Sequence, residues 1–206
     1  MEAVRRGAEN LARHVEILRA FQVPVVVALN LFPGDAPAEI DVACAAALAA
    51  GAREAVPARP FAEGGAGTLE LARAVLAAAR EGRGHALLYP DDAPLARKLE
   101  LLATGVYGAA AVELSHLAAG QLEDAERAGF GRLPVCMAKT HLSLSHDPLL
   151  GPSPRGFRFP VRELRICAGA GFVTAVAGEM QLMPGLPAHP RAEAIDLSPA
   201  GEPSGV

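Results

Sequence analysis

The sequence predicts an α/β protein: parallel-sheet crossover units followed by a smaller, β-rich, antiparallel carboxyl-terminal part. Three observations carry this prediction. The run VPVVVALN (23–30) is continuously apolar and β-branched, the pattern of a strand buried on both faces in a parallel sheet. Helical and strand-like periodicities alternate through the first 82 residues. Beyond about residue 150, short alternating segments are joined by glycine pairs.

The elements follow in order. Residues 2–21 repeat apolar positions at Val4, Ala8, Leu11, Val15 and Leu18, which puts one stripe of a helix toward a core. After the 23–30 strand, LFPGDAP is a loop, and AEIDVACAAALAAG is a helix ended by Gly51. EAVPA (54–58) is a short strand and RPFAEGGAG a second loop. TLELARAVLAAAREG is a helix with Thr68 at its N-cap. This α-β-α-β-α order makes two parallel crossover units. HALLYP (85–90) reads as a third strand. DDAPLARKLELLATGVYG is a helix begun at Asp91 or Asp92, and SHLAAGQLEDAERAGFG a helix capped by Ser115 and closed by Gly129 or Gly131. LPVCMAK (133–139) is a buried strand. Phe157, Phe159 and Val161 then alternate with polar neighbours, and AGAG marks a hairpin turn. The Pro-rich tail is expected to lie extended along the surface. The predicted division is 1–150 for the α/β part and 151–206 for the β-rich part.

Apolar residues make up 51% and charged residues 20% of the 206-residue chain, which fits a globular protein with a substantial core. Net charge is −4, Trp is absent and no basic stripe occurs, so nucleic acid is not an expected partner. No apolar run reaches the length of a membrane span, and the amphipathic amino terminus lacks a signal peptide's apolar middle. Cys44, Cys136 and Cys167 are widely spaced and odd in number, which predicts core thiols in a reducing compartment. A cytoplasmic protein is expected.

Two loops leave the carboxyl ends of the first two strands, where ligands of parallel sheets bind. One carries Phe32 and Pro33, the other Phe61, and Pro57 lies in the strand just before it. If the strands are neighbours, both rings reach one crevice; the alternative is that they close the core beneath the loops. EGGAG is no phosphate loop, because it lacks Lys and Ser/Thr. A third polar loop, MAKTHLSLSHDP (137–148), follows the 133–139 strand. It offers no G-x-S-x-G elbow for a hydrolytic nucleophile. His141 and His146, five apart, fit neither a helical nor a strand face for a metal, so no metal site is predicted. Two readings stay open for Lys139, Thr140, Ser143 and Ser145: phosphate binding, or a loop whose side chains satisfy one another.

The stretches GAENLARHVEILRAFQVPVVVALNLFPGDAPAEI, FAEGGAGTLELARAV, GFGRLPVCMAKTHLSLSHDP, RELRICAGAGFV and MPGLPAHPRAEAIDL together resemble formate–tetrahydrofolate ligase, over residues 7 to about 197 and in family order. The resemblance is to the carboxyl-terminal part only. It implies an ATP-dependent ligase that forms 10-formyltetrahydrofolate through formyl phosphate, with ATP, Mg2+ and tetrahydrofolate required by the full enzyme. It implies a pterin stacked between Phe32 and Phe61, with Pro33 and Pro57 lining the slot, and Lys139, Thr140, Ser143 and Ser145 in a loop toward the nucleotide or a domain interface. It assigns no catalytic residue here. Two positions depart from the family pattern: Phe61 stands where Trp is expected, and Leu31 where a basic residue is expected. The partner implied is a missing amino-terminal nucleotide-binding portion, in an enzyme that forms homo-oligomers. The chain is then a truncated product or half of a split enzyme, inactive alone. The competing reading is a non-catalytic folate-binding or assembly module, or the remnant of a broken gene.

Overall fold

The computed structural model describes residues 2–82, 84–180 and 189–205. The chain is α/β, with two separate sheets carrying most of the architecture. Helix α1 (Glu2–Ala20) leads to β1 (Val26–Asn30), α2 (Pro37–Ala49) and β2 (Glu54–Ala58), and β1 and β2 pair in parallel. Val15 of α1, Val25, Ala47 of α2 and Ala52 form a small core on one face of this pair, with Leu11, Val27 and Ala55 packed against it. The short helix α3 (Pro60–Glu63) and a 3-10 turn (Gly64–Thr68) precede α4 (Leu69–Glu81).

The second sheet has the order β3-β5-β6-β4. Helix α5 (Leu95–Leu101) precedes β3 (Ala111–Leu114), and α6 (His116–Arg127) precedes β4 (Val135–Ala138). Strands β5 (Arg158–Cys167) and β6 (Phe172–Ala177) form the antiparallel hairpin expected around AGAG. That hairpin occupies the sheet's centre: β3 adds to β5 and β4 adds to β6, both in parallel. Backbone pairing therefore runs across residue 150. The main core joins Leu95, Leu99 and Ala118 to Phe159, Val161, Leu164 and Val173.

Local chemistry explains the element ends. Gly51, at φ +95°, closes α2 with Gly51 N–H donating to Leu48 and Ala52 N–H to Ala47, a left-handed cap that glycine adopts without strain. Ser115 caps α6 by accepting from the Ala118 N–H at 3.0 Å. Thr68 precedes α4 but makes no cap; its hydroxyl donates to Gly65 at 2.8 Å. The helix predicted from Asp91 starts at Leu95, because Pro94 is pre-set for a helix's first turn and residues 90–93 form a turn. It runs on through a π-helical turn, Leu102–Val106, whose Gly105 and Val106 carbonyls accept from buried Arg13 of α1.

Several expectations are corrected. HALLYP forms no strand; the Ala86 N–H donates to Phe21 ahead of β1, and no strand among the described residues pairs with the segment. β3 lay unrecognised in AAAVEL, too short to show a period. β1 is not buried on both faces: Ala28 and Asn30 are exposed, because the sheet has only two strands. Nor are the thiols deep in the core: Cys136 is exposed on edge strand β4, and Cys44 and Cys167 are half-buried, all three free. The tail over 181–188 lies outside the described residues; beyond it, β7 (Asp196–Leu197) and β8 (Pro203–Ser204) form a minimal exposed hairpin. No helix among the described residues is long and apolar enough to cross a membrane.

Candidate functional site

The loop after β1 is built around FPGD. Pro33 fixes φ at the second turn position, and Gly34 takes φ +101° at the third. The Asp35 N–H donates to the Phe32 carbonyl at 3.2 Å, while the Asp35 carboxylate accepts from the Phe32 N–H at 2.8 Å. This reciprocal clamp presents the Phe32 ring outward. Leu31 beside it is buried and donates its N–H to Ala58 at the end of β2, so this position serves the core.

The loop after β2 is stapled at its base, where the Arg59 N–H donates to Gly67 at 3.0 Å. A Cβ on Gly67 would stand 2.5 Å from the Arg59 carbonyl oxygen, so only glycine permits this closure. Phe61 rides on the turn thus formed.

The two loops emerge together, as parallel pairing of β1 and β2 requires. The Phe32 and Phe61 rings meet with centroids 5.5 Å apart, inclined at 46°. They are 51% and 71% exposed, so they do not plug the core. A flat heterocycle between two rings needs about 7 Å, two van der Waals spacings of roughly 3.5 Å. At 5.5 Å the two rings are in direct contact, with no ring-wide gap between them. Pro33 is exposed beside Phe32, and Pro57 is exposed on β2 opposite Leu29.

Lys139, Thr140, Ser143 and Ser145 follow β4 in the other sheet. The Lys139 ammonium donates to the Thr140 carbonyl at 2.8 Å and to the Ser143 carbonyl, and lies 5.4 Å from the centre of the Tyr107 ring. Half-burial lowers its pKa. Thr140 Oγ1 accepts from Leu142 N–H at 3.2 Å. The Ser143 and Ser145 hydroxyls are buried and 2.9 Å apart; Ser143 donates to Gly151 and Ser145 to Asp147. Apart from the Ser143 bond to Gly151 just beyond it, these bonds stay within the loop. Beside it lies a cavity of about 380 Å3 lined by Thr140, His146, Asp147 and Glu179, where the buried His146 Nδ1 meets no partner among the described residues. No group of three or more His, Cys, Asp or Glu among the described residues could hold a metal.

Sequence reasoning passed over Lys98, one of only two lysines. It is 1% exposed, and its ammonium donates to Asp91 and Arg132 carbonyls at 2.7 and 2.6 Å and to Leu133 at 3.3 Å. It ties the approach to α5 to the approach to β4. The scarcity of lysine in an arginine-rich chain was its only signal.

Comparison with known proteins gives one consistent answer. The family model described as formate–tetrahydrofolate ligase matches residues 1–206. The formate–tetrahydrofolate ligase of Roseiflexus castenholzii is 50% identical over 205 residues, covering 100% of this chain and 36% of that protein. That of Chloroflexus aurantiacus is 51% identical over 202 residues, covering 97% of this chain and 35% of the relative. Formate–tetrahydrofolate ligase 3 of Rubrobacter xylanophilus is 49% identical over 212 residues, covering 98% and 37%. The chain thus spans little more than a third of the length of the curated relatives it matches. By these matches the chain belongs to the formate–tetrahydrofolate ligase family and corresponds to the carboxyl-terminal part of its members.

Proposed function

We propose that this chain supplies the tetrahydrofolate-stacking slot of an ATP-dependent ligase that joins formate to tetrahydrofolate. The observation that carries this is the pairing of two exposed rings, Phe32 and Phe61, at the carboxyl ends of adjacent parallel strands. Exposed aromatics at that edge are poised to gain apolar burial when a flat ring enters. Pro33 and Pro57 add stiff apolar edges. Asp35 and Gly67 act through the backbone and hold the two loops side by side, so that a modest separation of the rings makes room for a pterin.

The chemistry divides between this part and the rest of the family chain. The sequence holds no Gly-Lys-Ser/Thr phosphate loop to cradle a triphosphate. ATP, its magnesium and the formyl phosphate formed from ATP and formate are therefore assigned to the upstream portion. The slot's task is to hold the attacking amine of tetrahydrofolate toward that formyl carbon, so its contribution is one of position. The Lys139 loop spends its polar groups on its own backbone and is assigned a structural role at the end of β4.

Titration of tetrahydrofolate into the chain by calorimetry tests the slot. Phe61→Ala is expected to weaken binding by about 1–3 kcal/mol, roughly 5- to 150-fold in Kd. Unchanged affinity would remove the slot. Turnover by the chain alone would overturn the division of labour. Folate binding without turnover after the upstream portion is added favours a binding module over an enzyme part.

A further inference from the structure

We propose that the free edge of β1 is the docking site of a β-strand from the upstream portion of the ligase chain, running parallel to β1 and joined to it through α1. The inference deepens the functional reading above by naming where the rest of the enzyme attaches.

The register decides which edge is open. In a parallel ladder the N–H and C=O of one residue point to the same side, and successive residues alternate. The Leu31 N–H donates to the Ala58 carbonyl, so Leu31, Leu29 and Val27 face β2. Val26, Ala28 and Asn30 therefore turn their backbone groups outward, where no partner meets them among the described residues. On β2 the same alternation turns Ala55 and Pro57 outward. Pro57 has no N–H, which blunts that edge against strand addition. Of the two edges of this sheet, the β1 edge is the one with an unprotected ladder among the described residues.

The helices say on which side the next strand lies. Val15 of α1 and Ala47 of α2 pack together against Val25, with Val27 and Ala55 alongside, so both helices cover one face of the pair. Crossovers between parallel strands are right-handed. Right-handed crossovers over the same face advance across a sheet in the same direction. The step β1–α2–β2 moves from β1 to β2, so a strand leading into α1 lies on β1's other side, at the free edge.

The opposite face leaves room for what accompanies it. α4 buries Ala74 and Ala78, yet Leu69 and Leu76 on its outer side are 55% and 53% exposed, and Val75 at its flank 50%. Between α4 and β1 runs an apolar groove of about 400 Å3, lined by Val23, Pro24, Val26, Val75, Ala78 and Ala79. Relatives of about 50% identity carry nearly two-thirds of their length outside the matched region, ample for a strand and a covering helix. A strand added in parallel ends beside Asn30, next to the Phe32 loop, and supplies a third wall to the slot.

The test mixes this chain with the separately expressed upstream portion of the Roseiflexus castenholzii ligase and follows amide hydrogen exchange residue by residue. Val26, Ala28 and Asn30 are expected to slow by ~100-fold or more in the complex, while Ala55 on the outer side of β2 keeps its rate. Ala28→Pro deletes an outward N–H and leaves those of Val27 and Leu29 in place, and it is expected to weaken the complex at least ~10-fold. Leu76→Glu on the exposed face of α4 gives a second, independent loss should the proline variant fold poorly. Three results would overturn the proposal: a complex whose β1 edge amides exchange as in the free chain, no complex at all, or the same protection arising from self-association of this chain. Edge protection without tetrahydrofolate binding would sink the slot and spare the strand; binding without protection would do the reverse.

Discussion

Lys98→Met tests whether the buried ammonium holds the second sheet together. Methionine matches the length of the lysine stem, so the change removes chiefly the charge and its donors. Three backbone carbonyls, of Asp91, Arg132 and Leu133, then lose their partner in a site that is 1% exposed. The two short bonds are charge-assisted and worth about 1.5–3 kcal/mol each; the 3.3 Å bond to Leu133 is weaker. Burying the ammonium carries a desolvation cost that the substitution relieves, which offsets part of the loss. A ring contact to Tyr89, 5.3 Å from the ammonium, is also lost. The net expectation is about 3 kcal/mol of destabilisation, which for a chain of this size lowers Tm by roughly 6–12 °C. Thermal unfolding by circular dichroism reads this directly, and hydrogen exchange should show faster opening at residues 131–134. A Tm within about 2 °C of wild type would refute the reasoning, since it would mean that the carbonyls find water or one another at no cost.

Further outcomes follow from the same geometry. Ser145→Ala leaves the Asp147 backbone without the hydroxyl that both accepts from and donates to it, and is expected to cost about 1–3 kcal/mol in urea unfolding. Gly67→Ala drives a methyl into the Arg59 carbonyl and should displace Phe61, weakening tetrahydrofolate binding by calorimetry about tenfold. The Arg13 guanidinium beside Glu16 lowers its carboxyl pKa against an opposing effect of burial, with Arg155 lowering it further. A depressed carboxyl stabilises the fold above its unfolded pKa, and that stability is lost as pH falls through the lower folded value. Glu16→Gln is therefore expected to flatten the decline in stability below about pH 4.3, measured by urea midpoints across pH; an unchanged slope would count against the Arg13–Glu16–Arg155 cluster.

What the sequence determined by itself was most of what depends on neighbours along the chain, although Thr68 makes no cap and the helix expected from Asp91 starts at Leu95. The hydrophobic period marked α1, α4 and α6, Gly51 and Ser115 marked helix ends, and AGAG marked the β5–β6 hairpin. LFPGDAP announced its own loop, whereas the outward direction of Phe32 was settled only by the folded structure. What failed was whatever depends on partners distant in sequence. HALLYP has strand composition but no second ladder to complete, and the 111–114 strand has no period but sits beside β5. Burial likewise belongs to the sheet: VPVVVALN reads as two-sided core, yet Ala28 is exposed because only β2 flanks its strand. The meeting of Phe32 with Phe61, 29 positions apart, and the reach of Lys98 to Arg132 were decided only by tertiary structure. Helix periods and turns are written in residues a few places apart, whereas ring contacts, ladder edges and buried charges arise only when packing brings remote segments within a few ångströms.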